Sequence, residues 1–194
     1  MTVNEDLWSQ HQYGVLVSYV RHLSYRKVLS NILVEMKSEN EFWVQTTDAH
    51  LFRSVIDWCM IFGANNSAIH WKRVVNGAAD QEDLRQHLLS QSGQEASEWD
   101  SYWKSMISFR NGYAAHRAGA DQYPSVPFMD KSLQVAIAYD KWIRARINSI
   151  VLDPSVENRY THYMRTMPCV VKRLVEVTTQ VEHECRIQNF EGPP

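Results

Sequence analysis

No C-x-x-C pair occurs in this chain. Its three cysteines, Cys59, Cys169 and Cys185, stand far apart. That spacing offers neither a zinc knuckle nor a dithiol redox motif. Cys59 and Cys169 fall in apolar helical patterns and read as buried thiols. Excess positive charge is also missing. The net charge is −2 and the pI about 6.4, which argues against non-specific coating of nucleic acid but leaves room for a local basic site. No apolar run approaches the ~18 residues that span a bilayer, and the acidic start Thr2-Val3-Asn4-Glu5-Asp6 has no apolar signal core. The expectation is a cytoplasmic protein with no membrane partner. G-x-G-x-x-G, P-loop and G-x-S-x-G patterns are absent, which removes the usual nucleotide-binding and esterase routes. The eight histidines form neither H-x-x-x-H nor H-E-x-x-H. His183-Glu184-Cys185 is compact, but adjacent residues on a helix point in different directions. No metal and no cofactor is expected.

Glycine and proline are scarce, 7 and 6 of 194 residues, and they fall mostly between periodic segments. Those segments have helical period. Leu16, Val20, Leu23, Leu29, Ile32, Leu33 and Met36 form an apolar stripe on a first helix from Leu7 to Met36. Ser38 with Glu41 reads as a capping box for a second helix ending at Phe62, before Gly63. Phe52, Val55, Ile56, Cys59 and Met60 mark its core face. A short turn between two long helices predicts an antiparallel hairpin. Residues 70–75 hold at most two turns, and a short helix follows over Asp80–Ser90. The next helix covers Ser97–Arg117, with Trp99, Tyr102, Met106, Phe109, Tyr113 and His116 on one stripe. Ala118–Met129, with Gly119, Pro124 and Pro127, reads as an extended loop. Asp130 is expected to cap a fifth helix to Val151. A sixth runs from Val156 to Ile187, kinked or interrupted at Pro168. The fold class is therefore all-α, an up-and-down bundle with additional short helices. A single domain over residues 1–188 is expected, with a disordered tail over 189–194. Most of the seven tryptophans fit core positions better than base-stacking platforms.

Chemistry concentrates in Phe109-Arg110-Asn111-Gly112-Tyr113-Ala114-Ala115-His116-Arg117. On an α-helix Arg110 and His116 lie ~9 Å apart along the axis, a span suited to one phosphodiester. Arginine grips phosphate by a planar fork of permanent charge. Histidine moves protons near neutral pH. A purely structural reading pairs Arg110 with a carboxylate and leaves His116 in a last helical turn, favourable to the helix dipole.

The Arg110-Asn111-x4-His116 pattern resembles the R-x(4–6)-H signature of the HEPN superfamily, in the form found in abortive-infection proteins. Asp57-Trp58-Cys59-Met60-Ile61-Phe62-Gly63 with His70-Trp71-Lys72 is similar to a segment of uncharacterised bacterial members. The resemblance implies a HEPN-like bundle that forms a homodimer, with both copies of Arg and His lining one cleft. It implies a metal-independent endoribonuclease, a toxin or phage-defence effector, with RNA as substrate and an antitoxin protein as a further partner. Arg110, Asn111 and His116 would be its catalytic residues. The alternative is a catalytically silent HEPN-like module that binds RNA or a partner protein. A third reading is a structural helical protein. Ala118 stands where the branch paired with a nucleotidyltransferase often has Tyr, which argues against that pairing, and Gly112 departs from the expected motif. His70, Lys72, Arg73 and Arg117 are the candidate RNA-backbone contacts; a solvated helix start is the plainer reading of the first three. Asp57 either orients Arg110 or pairs with Arg53 four residues earlier, and the local pair comes first.

Overall fold

The computed structural model describes residues 2–115, 125–147 and 153–190, with the side chains of 113–115, 183 and 185–190 excepted. Six main helices account for most of them. A lead-in of Glu5–Leu7 and a π-helical turn, Trp8–Gln12, runs into α1, Tyr13–Met36. Then come α2 (Glu41–Phe62), a 3-10 turn (Trp71–Val74), α3 (Ala78–Ser92) and α4 (Ala96–Phe109). A π-helical segment, Arg110–Ala115, continues α4. The last two helices are α5 (Met129–Arg144) and α6 (Val156–Phe190). Extended pairing among the described residues is limited to an isolated antiparallel bridge between Val3 and Val75.

Hydrogen bonds between helices give the directions. His22 on α1 meets His50 on α2, so the two run antiparallel across the Lys37–Asn40 turn. Trp103 on α4 donates to Phe62 O, and Phe109 meets the ring of Phe52, so α4 runs back along α2. Ser132 bonds Tyr19 and Tyr139 bonds Gln12, which sets α5 against α1 in reverse. Tyr13 bonds Pro154 O just before α6, and Lys172 pairs with Glu35, so α6 runs parallel to α1. The result is an up-and-down all-α bundle.

Its main core is aromatic. Trp58, Trp142, Tyr19, Tyr139, Phe62 and Phe109 are fully buried, with Leu84 and Leu88 of α3 beneath them. A smaller cluster, Val28, Leu29, Ile32, Leu33, Trp43, Val171 and Val175, seals α1, α2 and α6 at the other end. Two pairs of buried polar atoms in the main core join across helices. The Tyr19 and Ser132 hydroxyls lie 2.6 Å apart, and Tyr139 donates to Gln12 Oε1 at 2.7 Å. Such pairing avoids the penalty of an unmet polar group in low dielectric.

Several helix ends differ from expectation. Asn40, not Ser38, caps α2, its Oδ1 accepting from Trp43 N–H at 3.2 Å. Ser38 instead accepts from Asn40 N–H. Asp130 lies inside the first turn of α5 and pairs with Lys27 of α1; no side chain caps that helix. α5 stops at Arg144 rather than Val151. A buried carboxylate from another helix, Asp140 of α5, accepts from Val156 N–H at 2.9 Å and so caps α6. α6 passes through Pro168 without interruption and continues to Phe190, so Asn189 and Phe190 are helical. Pro168 is exposed. Met60, expected in the core, is 38% exposed. The predicted loop at 118–129 lies outside the described residues except at its end.

Candidate functional site

The predicted motif begins where the helix changes pitch. α4 is regular to Phe109, and Arg110–Ala115 widens into a π-helix with i to i+5 bonding. The constant α-helical pitch expected over Ser97–Arg117 is thus interrupted from Arg110 to Ala115. Phe109 fixes the near end, fully buried with its ring 6.2 Å from that of Phe52. Arg110 follows at the bundle edge, half-buried.

Asn111 holds the Arg110 guanidinium. Its Oδ1 accepts from Nε at 3.0 Å and from Nη2 at 2.8 Å. Among the described residues no carboxylate pairs with Arg110, so a neutral amide orients the fork and leaves its charge uncompensated. That is the electrostatic condition for drawing an anion. The guanidinium also lies close enough to Cys59 to oppose, weakly, the burial that pushes that thiol up to about 12. His116 and Arg117 lie outside the described residues.

The other predicted contacts sit elsewhere. Trp103, seven residues before Arg110 and so ~10 Å back along α4, donates to Phe62 O at the end of α2. His70 reaches the neighbouring carbonyl, with Nε2 3.2 Å from Gly63 O. Its Nδ1 accepts from Lys72 N–H at 3.3 Å. A carbonyl needs a donor and an amide N–H needs an acceptor, so the backbone fixes the neutral Nε2–H tautomer. His70 is only 2% exposed. Both ring nitrogens are engaged by backbone, and its place is that of an N-cap to the 3-10 turn, not of a surface RNA contact. Lys72 and Arg73 do reach the surface, around an open cleft described below.

Asp57 pairs with Arg53, the local alternative, with Nε 3.0 Å from Oδ1 and 3.2 Å from Oδ2. It is not a surface pair, because the Asp57 side chain is 0% exposed. Burial raises its carboxyl above the usual range, against the opposing pull of Ser18 and Arg53.

A second basic constellation has no signature in the sequence. Nδ1 of His22 and Nδ1 of His50 lie 2.8 Å apart, so one donates and the other accepts. Tyr25 packs edge-on to both rings, and Tyr163 of α6 packs on Tyr25. Burial lowers both imidazoles, and Arg53 and Arg21 lower His22 further. Two residues 28 positions apart on different helices leave no spacing pattern to read.

Cys169, expected to be buried, is exposed on α6, while Cys59 is buried as expected. The thiolate is the reactive form, so the two should separate cleanly. A maleimide at pH 7.5 should modify Cys169 within minutes and leave Cys59 intact until the protein is denatured, as read by peptide mass mapping. Equal labelling of both under native conditions would contradict the packing of α2 on α4.

Among the described residues no helix is long and apolar enough to cross a membrane. No family model, curated protein or solved structure matches the chain.

Proposed function

We propose that this protein is a metal-independent endoribonuclease of the HEPN type, acting in the cytoplasm as a toxin or phage-defence effector. The observation that supports this reading is Arg110 at the α-to-π switch. Its charge is uncompensated by any described carboxylate, and its fork is oriented by Asn111. Local widening of this kind often accompanies functional sites.

The chemistry follows from the residue types. The ribose 2′-oxygen attacks the adjacent phosphorus and forms the 2′-O–P bond. The bond from phosphorus to the 5′-oxygen breaks. His116 moves the proton, as general base taking it from the 2′-hydroxyl or as general acid giving one to the leaving 5′-oxygen, and solvent water serves the other oxygen. Arg110 stabilises the negative charge that builds on the non-bridging oxygens. In this reading Asn111 is a positioning residue that acts through Arg110. A homodimer places two such motifs in one cleft, and an antitoxin partner would restrain it.

The test is cleavage of a labelled single-stranded RNA by the purified protein in excess EDTA. Products should end in 2′,3′-cyclic phosphate, and the DNA of the same sequence should remain whole because it lacks the 2′-hydroxyl. Cleavage that needs Mg²⁺, or that cuts DNA equally, would overturn the mechanism. RNA binding without cleavage under any condition would favour the silent-module reading instead.

A further inference from the structure

Lys72 and Arg73 flank an open cleft of about 450 Å³ between the 3-10 turn and α3. Asn65, Val75, Asn76, Gly77 and Gln81 complete its wall. Two features set this cleft apart. Its lining carries two cations and no carboxylate, on a chain whose overall charge is −2. Neither cation is in an ion pair among the described residues, whereas Arg53, Arg85, Arg144, Arg159 and Arg173 each have a carboxylate partner.

Both cations are also held in place. Arg73 Nε donates to Ser67 O at 2.9 Å, which fixes the stem of the fork. The Lys72 ammonium rides 5.6 Å from the Trp71 ring centroid, over a buried indole. The turn that carries them is tied down by His70 from below and by Gln81, whose Nε2 donates to Lys72 O at 3.0 Å. The opposite wall is Gly77 at φ +96°, a conformation that favours glycine, and a Cβ there would meet nothing within 4 Å. The cleft is therefore open on that side to backbone approach. Asn65 and Asn76 add amide donors. Asp80 in the first turn of α3 is the nearest acid in sequence, and it is not part of the lining.

We propose that this cleft is a phosphate-binding site, separate from Arg110, which takes one phosphate group between Lys72, Arg73 and the asparagine amides. Paired Lys and Arg suit a phosphate, the first as a point charge and the second as a fork. The carrier of that phosphate is an RNA strand if the ribonuclease reading above holds, and the identity of the carrier rests on that reading. The site itself does not.

The experiment is an amide chemical-shift titration of the full chain with inorganic phosphate, and in parallel with a short single-stranded oligoribonucleotide. Wild type, Lys72→Gln, the Lys72→Gln/Arg73→Gln double variant and Arg110→Ala are compared. Inorganic phosphate should shift the amides of residues 72–81 in wild type and in Arg110→Ala alike. The double variant should bind at least ten-fold more weakly, while its spectrum elsewhere shows the fold retained. Lys72→Gln, which leaves the Arg73 anchor to Ser67 intact, should fall between. For the oligoribonucleotide, the salt dependence of binding should flatten by ~0.7 in log–log slope on loss of that one phosphate contact. Phosphate shifts that are absent, or unchanged in the double variant, would overturn the site. Phosphate binding with no response to the oligoribonucleotide would support the site and overturn RNA as its carrier.

Discussion

Under the proposed ribonuclease function, replacing Arg110 with Ala should lower RNA cleavage by ~10²–10³-fold and leave the melting temperature within about 2 °C of wild type. The first figure is what one preorganised donor to a developing oxyanion is typically worth. The second follows from location. Arg110 is half-buried, and its described hydrogen bonds go to the residue beside it in sequence. Its removal opens no core cavity and strands no buried carboxylate, so the cost belongs with surface substitutions, within ~0.5 kcal/mol. The loss should appear in kcat more than in KM, because the charge it meets exists mainly in the transition state. Arg110→Lys is the sharper variant. It keeps the charge but cannot grip Asn111 Oδ1 through two nitrogens, so it should recover RNA binding and little of the rate. A fall in melting temperature of several degrees, with full activity per folded molecule, would return Arg110 to a structural role.

The bundle itself was legible because most of its helices carry a stripe of 3.6 period. Leu16, Val20, Leu23 and Leu29 on α1, and Trp99, Tyr102, Met106 and Phe109 on α4, lie in the core as their spacing requires. What spacing does not carry is the identity of a neighbour. Met60 continues the i, i+4 pattern of Ile56, yet nothing covers it fully at that end of α2. Cys169 stands among apolar residues whose exposed members, Val170 and Leu174, face away from the small core. Asn40 and Ser38 are both good caps, and only the path of the Lys37–Asn40 turn decides between them. Lys37 itself sits at φ 51° there, in the left-handed region that closes α1.

The candidate site was legible in part for the same reason. A local motif gives Arg110 and Asn111 their adjacency but not their mutual grip. The π-helical widening that starts at Arg110 has no counterpart in the stripe argument, which assumes a constant pitch. His70, Lys72 and Arg73 are adjacent in sequence and look like one basic cluster. The fold divides them, turning the imidazole inward to the backbone and the two cations outward to the cleft. The burial of Asp57 and the His22–His50 pair depend on α1 packing against α2, a relation between helices that no single-helix pattern contains.

His70 should make the protein lose stability in mild acid. Its ring is held neutral, with its pKa pushed down to about 4, chiefly by burial and then by Lys72 and Arg73, against a raising effect from the bond to Gly63. In the unfolded chain the same group titrates near ~6.5. Above that value both states hold it neutral, and it adds no pH dependence. Between the two values the unfolded state binds a proton that the folded state refuses, so stability falls as pH falls. Below the folded value the loss is complete. The gap of about 2.5 pH units sets that loss at the order of 3 kcal/mol, a large share of a domain's total. Protonation adds a hydrogen to Nδ1, which destroys its acceptance from Lys72 N–H and loosens the turn that presents both cations. His22 and His50 push in the same direction, while the raised carboxyls of Asp57 and Asp140 oppose it at the lower end. His70→Gln isolates the term. Its amide can still donate to Gly63 O but does not titrate, so the variant should be ~1–2 kcal/mol less stable than wild type at pH 7 for want of a partner to Lys72 N–H. That deficit should shrink steadily from pH 6.5 downward and vanish or reverse by pH 4. Urea denaturation at each pH, followed by tryptophan fluorescence, measures it directly, since Trp103 shares the Gly63 carbonyl with His70. Parallel stability profiles for the two proteins across that range would show that His70 is not the neutral, backbone-locked group its geometry describes.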